Sequence, residues 1–223
     1  MSNRNIAVAI DGPAASGKST VAKTLAKRLG LIMVNTGAMY RAVAWATIQH
    51  AVDPADSVAV IGLLERVTFS CGVENNLSTV LVDGVDPGDA LRQDAVNSRV
   101  SKVAAIPEVR ELLVRMQRDY LEHGSVVMEG RDIGSVVFPD TPFKMYIDAS
   151  EEVRRKRRAA EGIIDDPTAR DKEDSKRKSS PLVIAEGAVV IDSSEMDVEQ
   201  VVQAALRVLR ERGASEELLS KAN

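Results

Sequence analysis

The sequence is poor in residues that several common functions require. A single cysteine, Cys71, stands among 223 residues, so no internal disulfide can form. With two histidines, no Cys/His spacing resembles a zinc site. Aromatic residues make up only 3% of the chain, too few for a platform on which bases stack. Positive charge is not in excess either: 29 Lys and Arg face 33 Asp and Glu, for a net charge of −4. An acidic chain does not track a nucleic-acid backbone over a wide surface. Long apolar runs are also missing. The run Ile6–Ile10 stops at Asp11, too short for a signal peptide or a membrane span. These absences predict a soluble, cytoplasmic protein with neither a nucleic-acid nor a membrane partner.

Hydrophobic residues are 44% of the chain and charged ones 28%, which allows a sizeable core and excludes global disorder. The length fits one domain, 1–223. Short apolar runs alternate with helical patterns, the layout of an α/β protein with a parallel sheet. Five buried strands are predicted at Ile6–Ile10, Leu31–Val34, Val126–Met128, Phe143–Ile147 and Ala188–Ile191. Helices are predicted at Lys18–Leu29, Gly37–His50, Pro107–Glu122, Glu151–Ala160 and Val198–Arg210. Two stretches interrupt the alternation. Val67–Ser70 and Val80–Val82, with turn residues between them, predict a small antiparallel insertion within 63–106. Residues 151–180 carry ten basic and eight acidic side chains, too charged to bury much, and predict a mobile segment, 152–180. Gly213–Asn223 reads as a frayed tail.

Gly12-Pro13-Ala14-Ala15-Ser16-Gly17-Lys18-Ser19 fits the eight-residue P-loop pattern in full, after a strand and opening a helix. The glycines let the backbone curl so that N–H groups face phosphate oxygens, and the helix N-terminus adds partial positive charge. Lys18 reaches the β- and γ-phosphates, and the hydroxyl of Ser19 is a Mg²⁺ ligand. Thr20 completes the donor side. The pattern predicts binding of ATP with Mg²⁺. No Asn-Lys-x-Asp run is present for a switch GTPase. The nearest matches to the acid-terminated strand of a motor ATPase are Met145–Asp148 and Val189–Asp192, which end in a single Asp. Of the classes that remain, a small-molecule kinase with a closing lid fits this length best.

Further groups fall at the carboxyl edge of the predicted sheet, where open α/β sheets bind ligands. Asn35-Thr36-Gly37-Ala38-Met39-Tyr40-Arg41 follows the second strand, and Glu129-Gly130-Arg131-Asp132 the third. Arg170, Asp174 and Arg177 are spaced to share one helical face. Arginines converging from separate loops suit several phosphates held together.

These stretches, with Ser101, Arg110, the run Gly130–Asp140 (GRDIGSVVFPD) and residues 169–182 (ARDKEDSKRKSSPL), resemble the bacterial cytidylate kinases from first strand to last helix. The resemblance implies a three-layer P-loop kinase fold, with a five-stranded parallel sheet, a monophosphate-binding insertion and a helical lid. It implies phosphoryl transfer from ATP to CMP or dCMP by a monomer. It places Thr36, Tyr40, Arg41 and Arg131 at the acceptor phosphate, and Ser101, Arg110 and Asp132 at the cytosine. Arg170 and Asp174 fall at the ribose, and Arg177 between phosphate and base. Lys18, Arg131 and Arg177 are the expected catalytic groups, and Arg157 the expected lid contact to the donor phosphates. Asn35-Thr36 departs from the Asp-Ser usual in the family, and Glu173 and Ser175 replace arginines of some relatives. A P-loop kinase for UMP, AMP or an alcohol, and a non-catalytic nucleotide-binding regulator, are the alternatives.

Overall fold

A computed structural model describes residues 5–160, 167–177 and 180–222, with the side chains of 167, 169 and 170 outside that description. β1 (Ala7–Asp11) leads through the P-loop into α1 (Lys18–Leu29), which closes at Gly30, whose φ of +66° suits a left-handed cap. β2 (Ile32–Asn35) runs directly into α2 (Thr36–Gln49), and the Asn35 side chain caps the helix by accepting from the Ala38 N–H. α3 (Ser57–Arg66) is followed by the hairpin β3 (Phe69–Glu74) and β4 (Leu77–Val82). α4 (Asp94–Ala104) and α5 (Pro107–His123) lead to β5 (Val126–Gly130). A short π-helical turn, Ile133–Val137, precedes β6 (Lys144–Asp148). Then come α6 (Glu151–Ala160), α7 (Pro167–Ser175), β7 (Val189–Asp192), α8 (Val198–Glu211) and α9 (Glu216–Ser220).

The expected five parallel strands, β2-β5-β1-β6-β7, make up one side of a seven-stranded sheet ordered β3-β4-β2-β5-β1-β6-β7. The antiparallel hairpin does not stand apart: β4 extends the sheet from the edge of β2 through Met33 and Leu77. β1 is the middle one of these five, between β5 and β6, so its carboxyl end, the P-loop, sits at the middle of their carboxyl edge.

Strand alternation supplies both cores. Val8, Ile10, Met33 and Val127 face α1 and α8, where Leu25, Leu29, Val202 and Leu209 are buried. Ala7, Ala9, Ile32, Val34 and Met128 face α2, α4 and α5, against Val43, Val103, Val109 and Leu113. Full burial of a Leu or Val of this kind stabilises by about 1.5–3 kcal/mol. The predicted frayed tail is overturned through residue 222: α9 is capped by Ser215, and Leu219, 3% exposed, packs into the first core. Among the described residues no helix is long and apolar enough to cross a membrane.

Candidate active site

The P-loop is fixed by close backbone approach. A Cβ at Gly12 would lie 2.1 Å from the Ile147 carbonyl oxygen, so only glycine lets β1 turn under the sheet edge here. Gly17, at φ +87°, is the N-cap of α1. Lys18 is buried, its Nζ 3.0 Å from the Pro13 carbonyl oxygen, which keeps the ammonium folded over the loop. Ser19 Oγ donates to Glu129 Oε1 at 2.9 Å. Arg157 lies against the outside of the loop: Nη1 donates to the Ser16 carbonyl at 3.1 Å and Nη2 to the Ser193 carbonyl at 2.8 Å. It does not line the cleft, whereas the adjacent Arg158 does.

One cleft gathers Ala14, Ala15, Gly17, Lys18, Ser19 and Thr20 from the donor side with Thr36, Tyr40 and Arg41 from the start of α2. Arg110, Arg131, Asp132, Asp174 and Arg177 line the same cleft. Thr36 is the first residue of α2, and its hydroxyl donates to the Glu129 carbonyl at 2.9 Å, joining β2 to β5. Arg41 Nε donates to Asn97 Oδ1 on α4 at 3.2 Å. Burial pulls the Arg41 guanidinium below its ordinary pKa; Glu129 opposes this, and nearby Arg158 and Arg131 add to it. Cations crowded out of water in this way are stabilised by an anionic ligand. Ser101 sits half-buried on α4 between the lining residues Val100 and Ala104 and does not itself line the cleft.

Arg110 and Asp132 form a buried ion pair, with side chains 3% and 7% exposed. The Arg110 guanidinium also lies 5.4 Å from the Tyr40 ring centroid, a cation–π distance. Its Nε is buried with no hydrogen-bond partner in the protein, a donor that a ligand acceptor would satisfy. Burial pushes the Tyr40 hydroxyl up to about 12. Arg131 Nη1 donates to the Gly12 carbonyl at 2.6 Å and Nε to Asp174 Oδ2 at 2.9 Å, so the P-loop, β5 and α7 meet at this residue. Asp174 also accepts from Arg177, 3 residues on. Arg170 lies on α7, its side chain outside the described residues.

Several residues in and around the cleft have no role assigned by the sequence patterns. Glu129 appears there only as the first member of the Glu129–Asp132 group, since the acids that most plainly close apolar strands are Asp148 and Asp192. Those two turn back on their own loops, accepting from the Ala149 N–H and the Ser194 N–H. Val126–Gly130 satisfies the same rule and points its acid at Ser19. Asp11 is 3% exposed and accepts from the Ile133 and Gly134 N–H groups at 2.8 Å each, which fixes the backbone just after Asp132. Burial raises its carboxyl to about 7, against the pull of those two bonds. Only its place, a lone acid ending an apolar strand, could have marked it. Arg154, Asp171 and Arg158 lay hidden in the charged run.

Among the described residues no group of three or more His, Cys, Asp or Glu side chains is arranged to hold a metal. Beside Lys18 the cleft offers the oxygens of the Ser19–Glu129 pair. Such a sparse set suits a cation that keeps most of its ligands as water and phosphate oxygens.

Residues 8–211 match the family model for cytidylate kinase. A cytidylate kinase of Lactiplantibacillus plantarum is 42% identical over 228 residues, covering 96% of this chain and 99% of that protein. One of Pelotomaculum thermopropionicum is 46% identical over 209 residues, covering 88% and 92%. One of Caldanaerobacter subterraneus is 40% identical over 227 residues, covering 97% and 100%. With its P-loop, its glycine-framed Arg131-Asp132 and its arginine-lined cleft, the chain belongs to the cytidylate kinase family.

Proposed function

We propose that the chain transfers the γ-phosphoryl group of ATP to CMP or dCMP, giving ADP and CDP or dCDP. The observation that carries this reading is a single cleft in which the P-loop lysine meets Arg41, Arg131 and Arg177 beside the Arg110–Asp132 pair. A P-loop alone calls for a triphosphate; the extra arginines call for a second phosphate. Cytosine offers an amino donor at N4 with acceptors at N3 and O2. A carboxylate with a guanidinium held beside it is the complement. Uracil would turn an oxygen toward Asp132 and an N–H toward Arg110, and two unmatched buried contacts cost roughly 2–6 kcal/mol.

The chemistry needs no general base from the protein. A nucleoside monophosphate is largely a dianion at neutral pH, its second pKa being about 6, so its oxygen is already nucleophilic. What the protein supplies is alignment of two anions that repel each other and compensation of charge in a loose transition state. Lys18 and the P-loop amides hold the donor; Thr36, Tyr40, Arg41 and Arg131 hold the acceptor phosphate. Asp174 on α7 and Arg177 just beyond it close over the acceptor. Arg158, lining the cleft where Arg157 does not, is the stronger candidate for the donor phosphates. Mg²⁺, held at Ser19 with Glu129 behind it, would supply charge neutralisation on the donor phosphates. The reading takes the chain as a cytoplasmic monomer acting on free nucleotides.

An alcohol acceptor would need Asp132 as a base, but Arg110 already engages that carboxylate, and an alcohol leaves the extra arginines without a counterion. A coupled ADP-release assay with CMP, dCMP, UMP, AMP and a simple alcohol tests the reading. Turnover with CMP or dCMP well above the others is expected. No turnover with any monophosphate would overturn it.

A further inference from the structure

The lid helices are tied to the P-loop in two different ways. α6 is held by two arginines on one helical face: Arg154 Nη1 donates to the Ala14 carbonyl at 3.2 Å and Arg157 Nη1 to the Ser16 carbonyl at 3.1 Å. α7 reaches the P-loop through one carboxylate. Asp171 Oδ1 accepts from the Ala14 N–H at 2.9 Å, and Asp171 Oδ2 accepts from the same Arg154 Nη1 that bonds the Ala14 carbonyl. The result is a closed ring of an α7 carboxylate, an α6 guanidinium and both polar groups of the Ala14 residue. Asp171 and Arg154 are 8% and 7% exposed, so the ring is out of water. Asp171 Oδ1 also lies 3.6 Å from Arg131 Nη2.

We propose that Asp171 is a positioning residue, a latch through which the P-loop holds α7 closed and thereby sets Asp174 and Arg177 over the acceptor. The residue touches neither nucleotide in this account. Asp171 and Asp174 are three apart on α7 and so share a face, which means that docking one places the other. Arg131, Arg154 and Arg177 outnumber Asp171 and Asp174 in this buried network, leaving positive charge for a phosphate to balance. Opening α7 would break the bonds of Asp171 to the Ala14 N–H and to the Arg154 guanidinium, leaving water to replace a charge-assisted pair. Closure is therefore favoured when the cleft holds anions, and water is kept from the γ-phosphate while transfer occurs.

The inference rests on the proposed kinase reading, and its test separates the two. Asp171→Asn keeps an acceptor for Ala14 but loses the charge that Arg154 needs; Arg154→Gln breaks the ring from the other side. The readout is the ratio of CMP phosphorylation to ATP hydrolysis without acceptor. Loss of a charged hydrogen bond predicts that this ratio falls by about tenfold to a hundredfold in each variant. The double variant should fall no further than either single one, because they break one ring. Glu152→Gln, which removes an exposed α6 pair with Lys156, should leave the ratio unchanged. If Asp171→Asn fails to fold, Arg154→Gln is read alone. An unchanged ratio, with transfer and hydrolysis falling together, overturns the latch. Absence of CMP turnover by the wild-type protein would instead overturn the kinase reading.

Discussion

Arg110 on α5 and Asp132 at the end of β5 pair inside the protein, with Tyr40 beneath the guanidinium. Each orients the other, so a base entering the cleft meets a donor and an acceptor already set. Asp132→Asn keeps the shape and removes the carboxylate. The ratio of CMP to UMP turnover should fall by about tenfold to a hundredfold, while the KM for ATP stays within about threefold. Equal losses for CMP and ATP would show that Asp132 does not read the base. Asp132→Ala leaves Arg110 buried and unpaired, which should cost about 3–5 kcal/mol of stability by chemical denaturation.

The donor and acceptor halves of the cleft should separate in steady-state kinetics. Lys18→Met removes the ammonium that lies over the P-loop and should lower kcat by about a hundredfold or more. Arg41→Gln leaves the P-loop intact and should raise the KM for CMP by about tenfold or more with little change in that for ATP. A rise in both KM values for Arg41→Gln would mean that the residue serves the loop rather than the acceptor.

Gly12→Ala places a methyl group on the Ile147 carbonyl. The clash is with backbone at the centre of the sheet, so relief requires β1 and β6 to part. Stability should drop by about 1–3 kcal/mol or more, and ATP binding, read by equilibrium dialysis, should be lost even in protein that remains folded. Normal ATP affinity would show that the loop can relax.

Asp11 predicts a pH signature. Its folded-state carboxyl, raised to about 7 from an ordinary 3.8, binds a proton more tightly than in the unfolded chain. Stability from this group is thus fully present below about pH 4 and is lost as pH rises toward 7, with no further change above it. Asp11→Asn removes the titration. The difference in unfolding free energy, wild type minus variant, should therefore decline between pH 4 and 7 and then level off. A difference that is flat across this range would place the carboxyl at its ordinary value.

The parallel part of the sheet was legible because buried strands and amphipathic helices leave side-chain periodicity, as Val8 and Ile10 on one face and Ala7 and Ala9 on the other illustrate. The pairing of β4 with β2 was not legible, since it runs through backbone groups and a single register at Met33 and Leu77. α3, which begins ahead of the insertion, and α4, within it, are not predicted by the sequence pattern, although Asp56 caps the first by accepting from the Ala59 N–H. The cleft residues proposed to touch a ligand follow from motif chemistry. Asp11, Arg154 and Asp171 touch other protein groups instead, across 122, 140 and 157 positions of chain, and no local pattern records such partners. Asn35 shows the converse: its side-chain oxygen still caps α2, so the exchange from the family's usual Asp keeps the cap and drops only the charge, worth about 0.3–1 kcal/mol at a helix N-terminus.

Net charge hid the site as well. The chain is acidic by four charges, yet Lys18, Arg41, Arg110, Arg131, Arg158 and Arg177 line one cleft. That convergence is the central claim, and a competition experiment tests it most directly. The protein is given ATP labelled on the γ-phosphate, Mg²⁺, and equal concentrations of CMP and UMP, and the labelled products are separated. The account predicts label in CDP in excess of UDP by about tenfold or more. Equal labelling of CDP and UDP, or label found only in inorganic phosphate, would contradict it.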